Sequence, residues 1–447
     1  MLEEHELHGD TYAQHSAFQY VIITRDTMNI RELLARQFKN FDIGDARSGC
    51  VRPLLGDSIF TQDGAPWDHS RKLLAPLIRR PDLSPFEVFE KHFQSLYSKI
   101  VPSEHDGKEV KIDLKEYLFD LTLSVITEFM LGPSASTASG DGQAFTEAFN
   151  TAFKWISKRE RLKAMYFLID SFEFRRSCNE ARALVDKIVS RTSKMVEDSA
   201  GMESKIALFR LMRDDSDAAE VRDQFLSLLL AGRDTSGSLL CWSVYALSRE
   251  PQVFTDLQME VRGVLGDRVP TAEDFRNMKL LDQYMCEVLR LFPPVPINGR
   301  FCNTDTTLPR GGGVDGQSPI LCPKGALVAF STFAVHLNKD LWDDPRKFDV
   351  TRWSHERNLK DRITDWSYRP FSGGPRICLG EQFAVEEAKF MVCRLLQKLK
   401  TLTPVDPDGK DVDLSKGNWV DDVKYHVGLT MSPDNGVWVK MTPSGRD

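Results

Sequence analysis

The sequence lacks the patterns that mark several common protein classes. Its eight cysteines are spread over 447 residues without a Cys-x-x-Cys pair or a framework of short loops, which argues against a zinc ribbon or a disulfide scaffold. It also has no basic run, and its net charge is -7. The cysteine spacing leads us to expect reduced thiols. Because binding to phosphate backbones needs clustered Lys and Arg, we also expect no nucleic-acid partner.

Membrane signals are equally sparse. The start, MLEEHELHGDTYAQHSAF, has neither the basic end nor the apolar core of a secretory signal, and we expect no N-terminal anchor in this chain. The apolar run 225–247 carries Arg233 and Asp234 at its centre, and two charges at mid-bilayer are costly. We therefore predict a buried helix whose polar interruption marks a site.

Length alone suggests two or three domains. No repeat or long linker divides the chain, however, and only the Gly, Ser and Thr stretch 132–142 is typical of a surface loop. We therefore predict one domain, 1–447. Apolar residues three and four apart predict helices over 26–39, 67–80, 84–100, 113–131, 143–157, 179–199, 221–250, 252–265, 272–291 and 379–399.

Strands are few. Alternating apolar residues predict them in QYVIIT near 19, in ALVAFST near 326, and in YHVGLTM paired with VWVKM through the turn SPDNG. The predicted fold class is mainly α with small β-sheets.

One cysteine lies in an unusual setting. Cys378 stands in FSGGPRICLGEQFAVEEAKF, in a glycine-rich turn just before a predicted helix. The positive end of the helix dipole and the N–H groups of the turn would favour the thiolate. Most lone cysteines are instead small buried hydrophobic residues, and Cys378 alone leaves both interpretations open.

The residues around Cys378 favour the thiolate. The pattern F-x-x-G-x-R-x-C-x-G, which resembles the haem-binding loop of the cytochrome P-450 superfamily, is matched by Phe371, Gly374, Arg376, Cys378 and Gly380. The resemblance implies the P-450 fold, with Cys378 as the axial thiolate ligand of heme b and Phe371 packed near the sulfur. A thiolate ligand donates electron density to the iron.

A second motif lies upstream. Glu287 and Arg290 stand three apart on a predicted helix, a spacing that in isolation usually indicates an exposed ion pair. The apolar residues around them predict burial instead. The pair resembles the E-x-x-R helix of the superfamily, which implies a structural network completed by Arg352.

The interrupted apolar helix carries a third motif. Ala231, Gly232, Asp234 and Thr235 resemble the A-G-x-D-T pattern of the superfamily's central helix. The resemblance implies catalytic roles: Gly232 would loosen the helix to admit dioxygen, while Thr235 and Asp234 would relay protons. A mid-helix threonine that bonds its own backbone is the alternative.

The resemblance also implies partners for the haem propionates, because buried carboxylates need cations or N–H donors. Trp67 and Arg71 resemble the W-x-x-x-R helix of the superfamily, Arg376 lies two residues before the cysteine, and Arg300 matches its propionate-binding arginine. For Arg300, an ordinary surface arginine is the alternative.

The segments LLGDSIFTQDGAPWDHSR and LPRGGGVDGQSPI resemble the fungal alkane and fatty-acid ω-hydroxylase branch. The implied activity is insertion of one oxygen atom of O2 into a C–H bond of an apolar substrate, with a fatty acid or alkane as first candidate. Three alternatives remain: tailoring of a secondary metabolite, a haem-binding protein without turnover, and a helical scaffold without haem.

The electron source must be a second protein, because the chain has no flavin or nicotinamide motif. The resemblance implies NADPH and NADPH-cytochrome reductase, whose acidic surface would meet Lys72, Arg79 and Arg80. Relatives in this branch lie on the cytoplasmic face of the endoplasmic reticulum. Without an anchor, we expect this chain to be cytoplasmic or peripheral on that face.

Overall fold

The structure is a computed structural model that describes residues 2–16, 19–78, 85–101, 108–132, 140–198, 217–354, 359–415 and 417–444. Part of the predicted loop 132–142 lies outside these ranges, as do Arg79 and Arg80. Within the described ranges, no helix is both long and apolar enough to cross a bilayer.

Helices dominate, as the periodicity predicts. They are α1 Leu2–His8, α2 Thr27–Arg31, α3 Asp45–Leu55, α4 Gly64–Ile78, α5 Phe86–Ile100, α6 Lys115–Leu131, α7 Gly140–Arg161, α8 Phe172–Asp198, α9 Ala218–Arg249, α10 Pro251–Leu265, α11 Lys279–Leu291, α12 Thr332–His336, α13 Leu359–Thr364 and α14 Glu381–Lys398. Every predicted helical stretch contains a helix. Among the described helices, the prediction missed α1, α3, α12 and α13. Helix α3 contains Gly49 and Pro53, two residues that helix interiors disfavour.

The strands are short. They are β1 Thr11–Ser16, β2 Gln19–Thr24, β3 Phe41–Asp42, β4 Val110–Asp113, β5 Ile297–Cys302, β6 Thr306–Gly312, β7 Ser318–Cys322, β8 Leu327–Ser331, β9 Leu399–Pro404, β10 Tyr425–Val427, β11 Met431–Pro433 and β12 Trp438–Pro443. They form sheets ordered β1-β2-β8-β5-β3, β4-β12-β9, β6-β7 and β10-β11. The predicted strands near 19 and 326 are β2 and β8, which pair in parallel.

The predicted C-terminal strand pair is wrong. The chain turns back earlier than SPDNG, because the Gly428 N–H donates to the Thr430 carbonyl at 3.0 Å. Strand β10 therefore pairs with β11. Strand β12 joins β4 and β9 instead, distant segments that give Val439 and Met441 a buried face.

The structure divides into two compact units. The larger unit contains Met1–Asp42, Phe89–Phe119 and Thr235–Asp447, and the smaller unit contains Ile43–Val88 and Asp120–Asp234. The division falls inside the continuous helix α9. The single domain 1–447 therefore stays a prediction.

The five-stranded sheet provides one core of the larger unit. Its buried residues Ile22, Val328 and Phe330 share a cluster with Leu33 and Leu34 of the helical turn that follows α2. Apolar burial of this kind contributes about 25 cal/mol per Å². The cluster fixes the position of the Leu34 backbone, which the cysteine loop contacts.

Candidate functional site

The cysteine loop is a closed turn at the start of α14. The Cys378 N–H donates to the Phe371 carbonyl at 3.1 Å, and the Ile377 N–H donates to the Gly374 carbonyl at 3.0 Å. Helix α14 begins at Glu381, with Gly380 as its N-cap. The thiol therefore lies at the positive end of an 18-residue helix, as the sequence predicts.

Glycine is required at one position of this loop. Gly374 has φ +67, and a Cβ atom there would lie 1.8 Å from the Leu34 carbonyl oxygen. Any other residue would be strained by the left-handed conformation, and its Cβ would overlap the backbone of Leu34. By contrast, a Cβ on Gly380 would meet no atom within 4 Å.

Exposure separates Cys378 from the other cysteines. All eight lie in the described ranges, and Cys378 is the exposed one, whereas Cys286 is half-buried and the others are buried. This exposure argues against a small buried hydrophobic role for Cys378. Cys393, on α14, is the opposite case: burial raises the pKa of its thiol, and its Sγ lies 3.7 Å from the Met278 Sδ.

The E-x-x-R pair is buried, as predicted. Arg290 makes two bonds of 2.8 Å to the Glu287 carboxylate, and both side chains are inaccessible to solvent. Arg352 Nε lies 3.5 Å from Glu287 Oε1, which confirms the predicted third member. Trp353 Nε1 also donates to Glu287, at 2.9 Å.

His336 connects this network to the segment just before the cysteine loop, a link that the sequence did not indicate. Its Nδ1–H donates to the Arg290 carbonyl, and its Nε2 accepts from the Arg369 N–H, both at 3.0 Å. Burial and the nearby Arg290 guanidinium lower the pKa of His336 to about 3. The imidazole is therefore neutral, the state that these two bonds require.

The larger unit holds two of the predicted propionate-binding arginines. Arg300 is buried on β5, and its Nη1 donates to Asn298 Oδ1 at 3.1 Å and to the Gly299 carbonyl at 2.7 Å. Arg376 lies in the cysteine loop, with its guanidinium 5.9 Å from the Phe38 ring centre. The burial of Arg300 argues against an ordinary surface arginine.

The smaller unit holds the polar interruption of α9. Arg233 Nη1 bonds Asp234 Oδ1, and both residues are buried. The Thr122 hydroxyl donates to the Arg233 carbonyl at 2.8 Å. Burial raises the pKa of Asp234 to about 6 despite the opposing effect of Arg233, so the carboxyl can take up and release a proton near neutral pH.

Gly232 has a packing role that the sequence did not indicate. A Cβ atom there would lie 2.6 Å from Ile126 Cγ1 of α6. Helix α9 is unbroken at this point, so the predicted loosening is not seen. The predicted role of Gly232 in admitting dioxygen stays a prediction.

Trp67 and Arg71 stand one turn apart on α4 of the smaller unit. Trp67 is buried, and the Arg71 guanidinium carbon lies 5.8 Å from its ring centre. The two residues therefore share one face of the helix, as predicted, and the indole also contacts the guanidinium.

These residues suit a haem group. Its iron needs a thiolate, and its propionates need cations. The larger unit supplies an exposed cysteine at a helix N-terminus, a buried Arg300 and Arg376 in the same loop as the cysteine. The smaller unit supplies Arg71 beside an indole N–H donor.

Comparisons with known proteins agree with this chemistry. Residues 1–422 match the family described as Cytochrome P450. The chain is 37% identical over 448 residues to Cytochrome P450 52A13 of Debaryomyces hansenii, covering 94% of this chain and 82% of that protein. It is 36% identical over 416 residues to Cytochrome P450 monooxygenase g430 of a Fusarium species, covering 87% and 71%.

The fold has a solved counterpart. The crystal structure of the cytochrome P450DA heme domain superposes with a TM-score of 0.78, covering 99% of this chain and 91% of that chain at 23% identity. At 23% identity, this similarity is evidence for the fold alone.

Proposed function

The chain belongs to the cytochrome P450 family, and on that basis we propose that it is a haem-thiolate monooxygenase. The reaction inserts one oxygen atom of O2 into a C–H bond of an apolar substrate and reduces the other to water, with electrons from NADPH through a partner reductase. The observation that carries this proposal is the exposed Cys378 thiol in its closed loop before α14.

Cys378 is the haem ligand in this proposal. When bound, the haem supplies the redox chemistry that activates O2, and a thiolate ligand tunes it. The turn held by Gly374 and the N-terminus of α14 stabilise the negative charge on the sulfur. Cys393 does not fit this role, because its thiol is buried and its sulfur contacts Met278.

Trp67, Arg71, Arg300 and Arg376 bind the propionates. Each supplies N–H donors, and the three arginines also supply positive charge. The cation–indole contact of Arg71 and the strand bonds of Arg300 hold their guanidinium groups in fixed orientations.

Asp234 and Thr235 deliver protons. The reaction consumes two protons for each oxygen molecule, so a group that holds a proton near neutral pH is needed close to the reacting atoms. The Asp234 carboxyl, with its pKa raised to about 6, meets that need. Thr235 follows it on α9 and supplies a hydroxyl that both accepts and donates.

A fatty acid or alkane is the proposed substrate, on the resemblance to the fungal ω-hydroxylase branch. The test is turnover of the purified holoprotein with NADPH, a fungal reductase and a panel of fatty acids, alkanes, polyketides and terpenoids, with products identified by mass spectrometry. A terminally hydroxylated chain supports the proposal. Product only from polyketide or terpenoid substrates supports the secondary-metabolite alternative, and NADPH use without any product contradicts both.

An apolar segment of the smaller unit supports peripheral membrane contact. Phe167 and Leu168, between α7 and α8, and Phe172, the first residue of α8, are mostly exposed. Exposed apolar residues of this size favour a membrane or protein surface. Basic residues flank them, among them Arg161 and Arg175. We test this contact by co-sedimentation with phosphatidylcholine and phosphatidylserine vesicles, which Phe172→Ser should weaken and Phe60→Ser, elsewhere on the surface, should not.

The proposed reductase contact includes Lys72, which is exposed and pairs with Asp68 at 2.7 Å. Surface charges of this kind mainly change association rate and its salt dependence. Lys72→Glu should slow electron transfer from the reductase at low salt, and unchanged transfer would remove Lys72 from the contact.

A further inference from the structure

A cavity of about 270 Å³ lies beside the E-x-x-R network, in the larger unit. Its lining consists of Trp342, Asp343, Arg352, Trp353 and Arg362. These residues take no part in holding the haem or in the proposed reaction. Two guanidinium groups and two indoles around one space are an unusual lining, and they give the cavity a chemistry of its own.

The indole of Trp342 is the first sign of a ligand. Its side chain is 1% exposed, and within the described residues no acceptor lies at hydrogen-bond distance from its Nε1–H. The indole of Trp353 differs, because its Nε1–H donates to Glu287 at 2.9 Å. A buried donor without an acceptor is costly. The Trp342 N–H therefore needs an acceptor from outside the chain.

Both arginines of the lining lie close to this indole. The guanidinium carbon of Arg362 is 4.6 Å from the centre of the Trp342 ring, and that of Arg352 is 6.0 Å from it. Arg362 is half-buried on α13, and its Nη1 donates to the Leu341 carbonyl. The part of the chain that the structure describes gives Arg362 this carbonyl but no carboxylate. Its positive charge is therefore open to a ligand.

The protein leaves N–H donors over on both arginines. Arg352 donates from Nη1 to the Asp343 carbonyl at 2.7 Å and from Nη2 to the Asp344 carbonyl at 3.3 Å. Its Nε lies 3.5 Å from the Glu287 carboxylate. Each guanidinium carries five N–H groups, more than these bonds and the single carbonyl bond of Arg362 use. Donors therefore remain on both sides of the Trp342 indole.

The nearby carboxylates do not supply the missing acceptors. Both oxygens of Glu287 accept from Arg290 at 2.8 Å. Asp349, which also acts on Arg352 electrostatically, accepts from the Thr351 N–H at 3.0 Å and from the Thr351 hydroxyl at 2.5 Å. The remaining carboxylate, Asp343 of the lining, is exposed to water, which screens its charge.

We propose that this cavity binds a small oxyanion of the phosphate class. The guanidinium groups of Arg352 and Arg362 and the indole N–H of Trp342 donate to its oxygens. Phosphate suits these donors because its oxygens accept several N–H groups at once, and arginine forks match its geometry. An apolar ligand would leave the same donors unpaired.

The bound anion would also join two segments of the chain. Arg362 lies on α13, whereas Trp342 and Arg352 lie earlier in the chain, before the segment that leads to the cysteine loop. Phosphate should therefore raise the melting temperature of the holoprotein, since a ligand that binds only the folded state stabilises it. The site is separate from the proposed reaction, so its test does not depend on turnover.

The first test follows the indole N–H directly. Holoprotein with isotope-labelled tryptophan has eight indole N–H signals in its NMR spectrum, and Trp342→Phe identifies the signal of Trp342. Titration with sodium phosphate at fixed pH and ionic strength should move that signal until it saturates. The signal of Trp419, whose Nε1–H already donates to Glu250 at 2.7 Å, should stay in place.

The second test measures affinity by calorimetry with inorganic phosphate. Arg362→Gln should weaken binding about tenfold, the loss expected for a charge-assisted hydrogen bond. Arg346→Gln is the matched control, since it removes an exposed arginine that pairs with Asp421 at 3.2 Å, and it should bind as wild type does. Glycerol 3-phosphate separates two sources of the anion: tighter binding than phosphate indicates a phosphate ester, and equal or weaker binding indicates free phosphate.

Two results would overturn the site. One is the absence of a saturable shift of the Trp342 signal at millimolar phosphate, which would mean that any binding is adventitious. The other is an affinity in Arg362→Gln equal to that in Arg346→Gln. If Trp342→Phe does not fold, the calorimetric comparison of these two arginine variants decides the question alone.

Discussion

The backbone N–H of Arg369 donates a hydrogen bond of 3.0 Å to Nε2 of His336. The other ring nitrogen of His336 donates to the Arg290 carbonyl. One neutral imidazole thus connects the buried Glu287–Arg290 pair to the backbone two residues before the cysteine loop. The arrangement of the loop therefore depends on a histidine that must stay uncharged.

Acid should weaken this connection. Because the pKa of His336 falls from 6.5 unfolded to about 3 in the fold, the unfolded chain binds the extra proton between those values. The contribution to stability is complete above pH 6.5 and declines by about 1.4 kcal/mol per pH unit below it. The free energy of unfolding, measured against pH for wild type and His336→Gln, should differ by that slope. Parallel curves would contradict the neutral buried histidine.

Glu287→Gln should be severely destabilising. It removes the one carboxylate between Arg290 and Arg352, and buried cations left without their anion cost about 3–5 kcal/mol. Thermal unfolding and the yield of haem-loaded protein measure the effect. The control is Glu180→Gln, which breaks the exposed pair with Arg176 and should leave the melting temperature almost unchanged, because solvent screens surface ion pairs. Equal losses in the two variants would show that the network is not important for stability.

Gly374→Ala should disrupt the cysteine loop. Its positive φ alone disfavours alanine by about 1–2 kcal/mol, and the Cβ would also overlap the Leu34 carbonyl. Haem content per protein should fall sharply. Gly380→Ala, in the same loop but with open space around its Cβ, should retain haem within error. Full haem content in Gly374→Ala would mean that the loop rearranges freely.

Thr235→Ala should divert electrons from product to peroxide, because the hydroxyl next to Asp234 relays protons in our proposal. We expect the product share to fall by about tenfold to a hundredfold. Ser243→Ala is the control, since that hydroxyl donates to the Leu239 carbonyl of the same helix at 2.8 Å and otherwise contacts the Met285 sulfur at 3.9 Å. If the two variants behave alike, Thr235 is an ordinary helix threonine that bonds its own backbone.

Sequence patterns predicted those parts of the site whose residues lie within one helix or one turn. The spacing of Glu287 and Arg290, of Trp67 and Arg71, and of the residues around Cys378 places each set within one helix or turn. Helix periodicity was equally informative, because the apolar stripe of a helix is a local property.

Contacts between distant segments were not predictable in this way. His336 lies 46 residues from Arg290 and 33 from Arg369, and no spacing rule connects them. Strand β12 pairs with β4, more than 300 residues earlier, whereas the turn residues SPDNG favoured a local hairpin. Glycine is needed at position 232 because Ile126 of another helix packs closely against it. The sequence of α9 alone does not reveal this contact.

The identity of the haem ligand is the central claim, and one spectrum tests it. The carbon monoxide difference spectrum of the reduced protein should show the long-wavelength Soret band of thiolate ligation in wild type and in Cys393→Ser. Cys378→Ser should lose that band. A thiolate spectrum that survives in Cys378→Ser, or disappears in a folded Cys393→Ser, would contradict the account.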